Sequence, residues 1–70
     1  MPDMVSVDSS NIDAIGYEQA TRELYVRFLS GGTYIYSEVP VECFEELLRA
    51  PSKGSYLNRA IKSAYTYRHL

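Results

Sequence analysis

The stretch from Glu23 to Val39 constrains this chain more than any other. Glu23 to Leu29 (E-L-Y-V-R-F-L) alternates, with Leu24, Val26 and Phe28 on one side and Tyr25 and Arg27 on the other. Period-two alternation with β-branched and aromatic residues describes a half-buried strand. Ser30-Gly31-Gly32 marks a turn, and Thr33 to Val39 (T-Y-I-Y-S-E-V) returns as the second strand of a hairpin. Pro40 ends that strand and suits the first turn of a helix. Val41, Phe44, Leu47 and Leu48 then recur at helical spacing, with Glu42, Glu45 and Glu46 toward the positive end of the helix and Arg49 at its negative end. Ala50-Pro51 stops it, and Ser52 caps a second helix whose apolar stripe is Leu57, Ala60, Ile61 and Ala64. Ile12 to Tyr17 reads as a modest further strand, followed by a polar turn through Arg22. Strands first and helices after predict an α+β fold: a small antiparallel sheet of about three strands around the central hairpin, with two helices packed on one face.

Seventy residues, 46% of them apolar, make one small domain with a narrow stability margin. Residues 1–8 hold only a possible short extended piece and are expected to be a flexible extension; 9–70 form the domain. Either a monomer or a weak homodimer is compatible with this size. Cys43 has no partner for a disulfide, and with His69 as the one histidine no metal site or cofactor is expected. Met1-Pro2-Asp3 carries neither a basic cluster nor an apolar run, so no secretory leader is expected, and no stretch approaches the roughly 18 apolar residues of a membrane span. A cytoplasmic location follows as an expectation.

Charge is distributed unevenly. Up to residue 48 there are nine carboxylates and two arginines, a net -7; from Arg49 onward there are five basic residues and no acid, a net +5. That asymmetry points to an anionic partner. Ser52-Lys53-Gly54-Ser55 opens a helix, where free N–H groups favour an anion, and Lys53 in the first turn has the wrong sign for the helix. Gly54 permits either a ligand or a neighbouring segment to come close. The glycine spacing of a P-loop is absent. Arg59 and Lys62 share the exposed helix face, with Arg68 beyond them, as contact with a phosphate backbone requires. Asn58 either reads a base or bonds a neighbouring loop. Tyr56, Tyr65 and Tyr67 are aromatic enough to stack on bases, although Tyr56 and Tyr65 flank the apolar stripe. Cys43 reads as packing, His69 as mobile, and the glutamates of the first helix as solvated. Nothing resembles a nucleophile with its base, and catalysis is not expected.

Several of these residues also resemble a known pattern. Tyr34-Ile35-Tyr36, preceded by Gly31-Gly32 and followed by Val39-Pro40, is similar to the Tyr-x-Tyr centre of the KTSC domain, a module also found at the C terminus of some lysyl-tRNA synthetases. Ser52, Gly54, Tyr56, Leu57, Asn58, Ile61 and Lys62 fit its later motif, and Ser9-Ser10-Asn11-Ile12 with Gly16-Tyr17 its opening. The resemblance runs from about Ser9 to Arg68; Leu57 and Ile35 depart from the usual aromatic and polar choices. It implies that Tyr34, Tyr36, Tyr56 and Ile61 are structural, and the synthetase fusion suggests RNA as a partner.

The hairpin register decides which way Tyr34 and Tyr36 face. A two-residue Gly31-Gly32 loop pairs Ser30 with Thr33 and turns both tyrosines outward with Tyr25 and Arg27, as a stacking surface. A three-residue loop with Gly32 left-handed pairs Leu29 with Thr33, so that Phe28 faces Tyr34, Val26 faces Tyr36, and both tyrosines meet the helices. The residues alone allow either register; the resemblance favours the second. The leading expectation is a small binding module for RNA or another polyanion, working through the basic C-terminal helix. The alternative is a protein-interaction or self-associating module.

Overall fold

The chain is described from Met1 to Leu70 by a computed structural model. Its antiparallel sheet has five strands in sequence order: β1 (Val5–Ser6), β2 (Ile12–Glu18), β3 (Glu23–Phe28), β4 (Thr33–Tyr36) and β5 (Tyr67–His69). Between β4 and β5 lie α1 (Val41–Arg49) and α2 (Lys53–Tyr56), the latter continuing directly as a π-helical turn, Leu57–Ile61. The fold is α+β, as the order of elements implies.

The sheet is wider than the three strands expected. Val5 and Ser6 pair with Ile15 and Ala14, adding a strand from the segment expected to be an extension. At the other edge the tail, of which His69 was expected to be mobile, pairs with β4 through Tyr34–His69, Ile35–Arg68 and Tyr36–Tyr67. The reason lies in β4, whose Ile35 and Tyr36 are both 1% exposed. Without β5 those buried residues would sit on an open edge with unpaired backbone groups.

The hairpin closes between Phe28 and Gly32, where the Phe28 N–H donates to the Gly32 carbonyl at 2.8 Å. Its loop is therefore three residues, Leu29 to Gly31, and the positive φ (106°) falls at Gly31 instead of Gly32. Val26 consequently pairs with Tyr34 and Leu24 with Tyr36, two positions from the expected partners. A two-residue shift leaves every side chain on its face. Tyr34 and Tyr36 thus stand on the helix side with Leu24, Val26 and Phe28.

In β2 a bulge between Ile12 and Ala14 lets Ile12 pair with Phe28 and Ile15 with Val26. Both isoleucines reach the core, although their spacing of three would otherwise divide them between faces. Leu47 of α1 and Tyr56, Leu57 and Ile61 of the second helix meet this surface, together with Val39. Tyr17 stacks on Phe44 with ring centroids 5.3 Å apart, and its hydroxyl donates to the Val39 carbonyl. The π-turn, marked by the Lys62 N–H reaching back to the Leu57 carbonyl, ends the second helix at Ile61, so Ala64 of the expected stripe is exposed.

On the other face of the sheet, ion pairs join Arg27 to Asp13 at 2.8 Å and Arg68 to Glu23 at 2.9 Å. Pro2, Asp3 and Met4 cover Gly16 closely enough that a Cβ there would lie 2.7 Å from the Met4 sulfur.

Candidate nucleic-acid interface

The helices cover only part of the sheet face that carries the core. Beyond them, the hairpin end of that face is open. Phe28 and Tyr34, cross-strand neighbours on the same side, meet edge to face at 5.5 Å. Two residues of β5 extend this aromatic surface. Tyr67 stacks on Tyr34 at 5.2 Å, and the His69 ring lies 4.7 Å from it. The period-two geometry of β5 places Tyr67 and His69 on this side and sends Arg68 to the other. Tyr36, deeper in the core, completes the floor. Burial, followed by the neighbouring Tyr67 and Tyr34 hydroxyls, raises the Tyr36 hydroxyl above the ordinary tyrosine range and keeps it neutral.

Phe28, Tyr34, Tyr36 and His69 line a groove of about 730 Å³ whose remaining wall is Ser10, Asn11, Leu29, Ser30, Gly32 and Lys62. A second, more polar concavity of about 520 Å³ continues from it along the start of α2, lined by Ser52, Gly54, Ser55 and Asn58. Ser10, Asn11 and Lys62 belong to both, so the two form one bipartite groove with Lys62 at the junction. No carboxylate lines either half, in a chain that has nine.

Local chemistry builds the polar half. The Ser52 hydroxyl accepts the Ser55 N–H at 3.3 Å and caps the helix. Ser9 Oγ accepts the N–H groups of Asn11 and Ile12, and the Asn11 carbonyl accepts the Leu29 N–H at 2.9 Å, which fastens this loop to the hairpin. Gly54 makes room for that loop: a Cβ would lie 2.6 Å from Asn11 Oδ1.

The basic residues singled out in the sequence have different surroundings. Lys53 reaches back and donates to the Ala50 carbonyl at 2.8 Å, so its charge serves the C-terminal end of α1, where a cation is favourable. Arg59 lies over the ring of Tyr56, its guanidinium carbon 5.1 Å from the centroid. Arg68 is on the far face with Glu23, whose carboxyl is lowered chiefly by that hydrogen bond and then by Thr21. Lys62 is exposed, takes part in neither ion pair, and faces the groove with Asn58. Ser52, Gly54, Asn58 and Lys62 are thus brought together, while Lys53, Arg59 and Arg68 are dispersed. Tyr56 and Ile61 are in the core, and the Tyr56 hydroxyl donates to Glu46 at 2.8 Å beside Cys43. Burial first, then the Glu46 bond, pushes that hydroxyl well above its usual range.

Sequence reasoning did not single out Phe28, His69, Ser10 or Asn11 for the site. Only the fold of the tail brings His69 to Tyr34. No group of three or more His, Cys, Asp or Glu side chains is arranged to hold a metal ion, and no helix is long and apolar enough to cross a membrane.

Fold and groove together define a small α+β domain with an open aromatic and polar cleft. The chain belongs to the KTSC domain family, whose profile matches residues 8–65. It is 45% identical over 62 residues to a protein of Tsukamurella paurometabola, covering 89% of this chain and 92% of that one. It is also 40% identical over 67 residues to a lysine–tRNA ligase of Nostoc sp., covering 96% of this chain but 12% of the ligase. Among solved structures, a KTSC domain protein from Yersinia pestis superimposes with a TM-score of 0.96 at 33% identity, over 100% of this chain and 99% of that one.

Proposed function

We propose that this domain binds single-stranded RNA in the bipartite groove, by binding alone and without catalysis. The observation that carries the reading is the carboxylate-free groove, in which Phe28, Tyr34 and His69 adjoin Lys62 and a row of hydroxyl and amide groups. Single-stranded bases stack on aromatic side chains at about 1–3 kcal/mol each, while cations hold the backbone. The polar half offers Ser52, Ser55 and Asn58, groups able to bond the 2′-hydroxyl as well as phosphate oxygens. The likeness to a stretch of a lysine–tRNA ligase, an enzyme that acts on RNA, supports the same class of ligand. This activity belongs in the cytoplasm, to a monomer or weak homodimer.

A titration of fluorescently labelled oligouridylate, read by anisotropy at a series of salt concentrations, tests the reading. The expected result is binding that strengthens as salt falls, with single-stranded RNA preferred to duplex RNA. Binding at low salt no tighter than that of an inert acidic protein would sink it.

A further inference from the structure

His69 belongs to β5, outside the residues 8–65 that the family profile spans. Its imidazole packs against Tyr34 at 4.7 Å, and Nε2 sits over Gly32, where a Cβ would come within 2.9 Å of it. The ring is therefore seated: one neighbour supplies a ring to pack against, tilted by 50°, and the other supplies space. It is also exposed, and it lines the same groove as Lys62.

We propose that His69 is a phosphate-contacting residue of this groove, acting as imidazolium while its ring keeps its place on Tyr34. The proposal rests on the RNA-binding reading given above and extends that site onto β5. The other titratable groups lining the groove are Tyr34 and Tyr36 of β4 and Lys62 after the second helix, and on its own strand Tyr67 stands beside Tyr34. None is an acid that could pair with the imidazolium and occupy its charge. An imidazole changes charge between about pH 5 and 8, and a phosphate beside it favours the charged form. One cation contacts phosphate when His69 is neutral and two when it is charged.

The charge change has a specific signature. Each phosphate contact made by a cation steepens the dependence of log K on log salt by about 0.7 for single strands. Oligouridylate, whose bases do not titrate in this range, would be bound by the full chain at about pH 5.5 and about pH 8 over a series of salt concentrations. For the wild type the slope should be steeper by about 0.7 at the lower pH. His69→Phe, which keeps a ring on Tyr34, should hold the shallow slope at both pH values. His69→Lys should hold the steep slope at both. The Phe variant also controls for carboxylates elsewhere that begin to protonate at the acid end. His69 is the one histidine of the chain, and the α-amino group lies by Tyr17 and Glu18 in a separate concavity.

Equal slopes for the wild type at the two pH values, with binding intact, overturn the assignment of His69 alone. A pH-dependent slope that persists in His69→Phe does the same. Absence of wild-type binding at both pH values overturns the RNA reading of the groove and the role of His69 with it.

Discussion

Replacing Lys62 with alanine should flatten the salt dependence of RNA binding, whereas replacing Arg68 should leave it unchanged. The two residues carry the same charge and lie on the same basic tail. Their surroundings separate them. Lys62 is exposed at the junction of the two halves of the groove. Arg68 pairs with Ile35 across the strand, points to the opposite face, and lies 2.9 Å from the carboxylate of Glu23. With a slope of about 0.7 per contact, a fourfold rise in salt costs each contact about 2.6-fold in affinity. Lys62→Ala should therefore reduce the loss seen between low and moderate salt by about that factor. A charge on the far side of the sheet is screened over about 8–10 Å at such ionic strengths, so Arg68→Ala should bind as the wild type does. Anisotropy titrations of the three proteins against one oligouridylate provide the comparison, with circular dichroism confirming that each is folded. Equal flattening by both variants would show that binding follows the net charge of the tail and not the groove, and the argument from the groove would fail.

Three further predictions concern the fold that holds the groove. Ile61→Ala removes a side chain that is 0% exposed and should cost about 2–5 kcal/mol, measured by urea denaturation; a loss below 1 kcal/mol would place the packing of the second helix in error. Tyr56→Phe loses the hydrogen bond to Glu46, an exposed residue that water can re-solvate, so the cost should be about 1 kcal/mol. Because burial raises the hydroxyls of Tyr36, Tyr56 and Tyr65, their neutral forms contribute stability that is complete below about pH 10 and is lost as pH rises toward their folded values. Alkaline unfolding should therefore be shallower in Tyr56→Phe than in the wild type, and identical alkaline limbs would contradict it. Gly16→Ala sets a methyl against the Met4 sulfur and the Asp3 carbonyl, and overpacking of that kind costs about 1–3 kcal/mol. Hydrogen exchange should show β1 freed from β2; unchanged protection at Val7, whose N–H donates to the Asp13 carbonyl, would refute the contact.

The hairpin and α1 were legible because their patterns are local. Leu24, Val26 and Phe28 repeat every second residue, and Phe44, Leu47 and Leu48 recur at helical spacing. The residues alone left the faces of Tyr34 and Tyr36 open; the three-residue loop favoured by the resemblance is present, although the glycine with positive φ is Gly31 and the register lies two places from the expected one. The outer strands were not legible. Val5–Ser6 and Tyr67–His69 are two and three residues long, too short to show a period, and each forms only because a longer strand offers its edge. Ile12 and Ile15 looked mixed because a bulge, which leaves no mark in sequence, brings them to one face. The basic residues illustrate the remaining gap. Lys53 appeared misplaced at a helix start, yet its side chain closes the end of the preceding helix at Ala50. The position of a charge in sequence does not disclose its partner, and for Lys53, Arg59 and Arg68 that partner is another part of the same chain.

The most direct test is a nuclear magnetic resonance titration of the isotope-labelled chain with oligouridylate. The account predicts amide shifts confined to Ser10–Asn11, Phe28–Tyr34, Ser52–Lys62 and Tyr67–His69, with the His69 and Tyr34 ring signals moving together. The far face, reported by Tyr25, Arg27 and Asp13, should stay still. Shifts centred on Tyr25, Arg27 and Asp13, or no shifts at low salt, would contradict it.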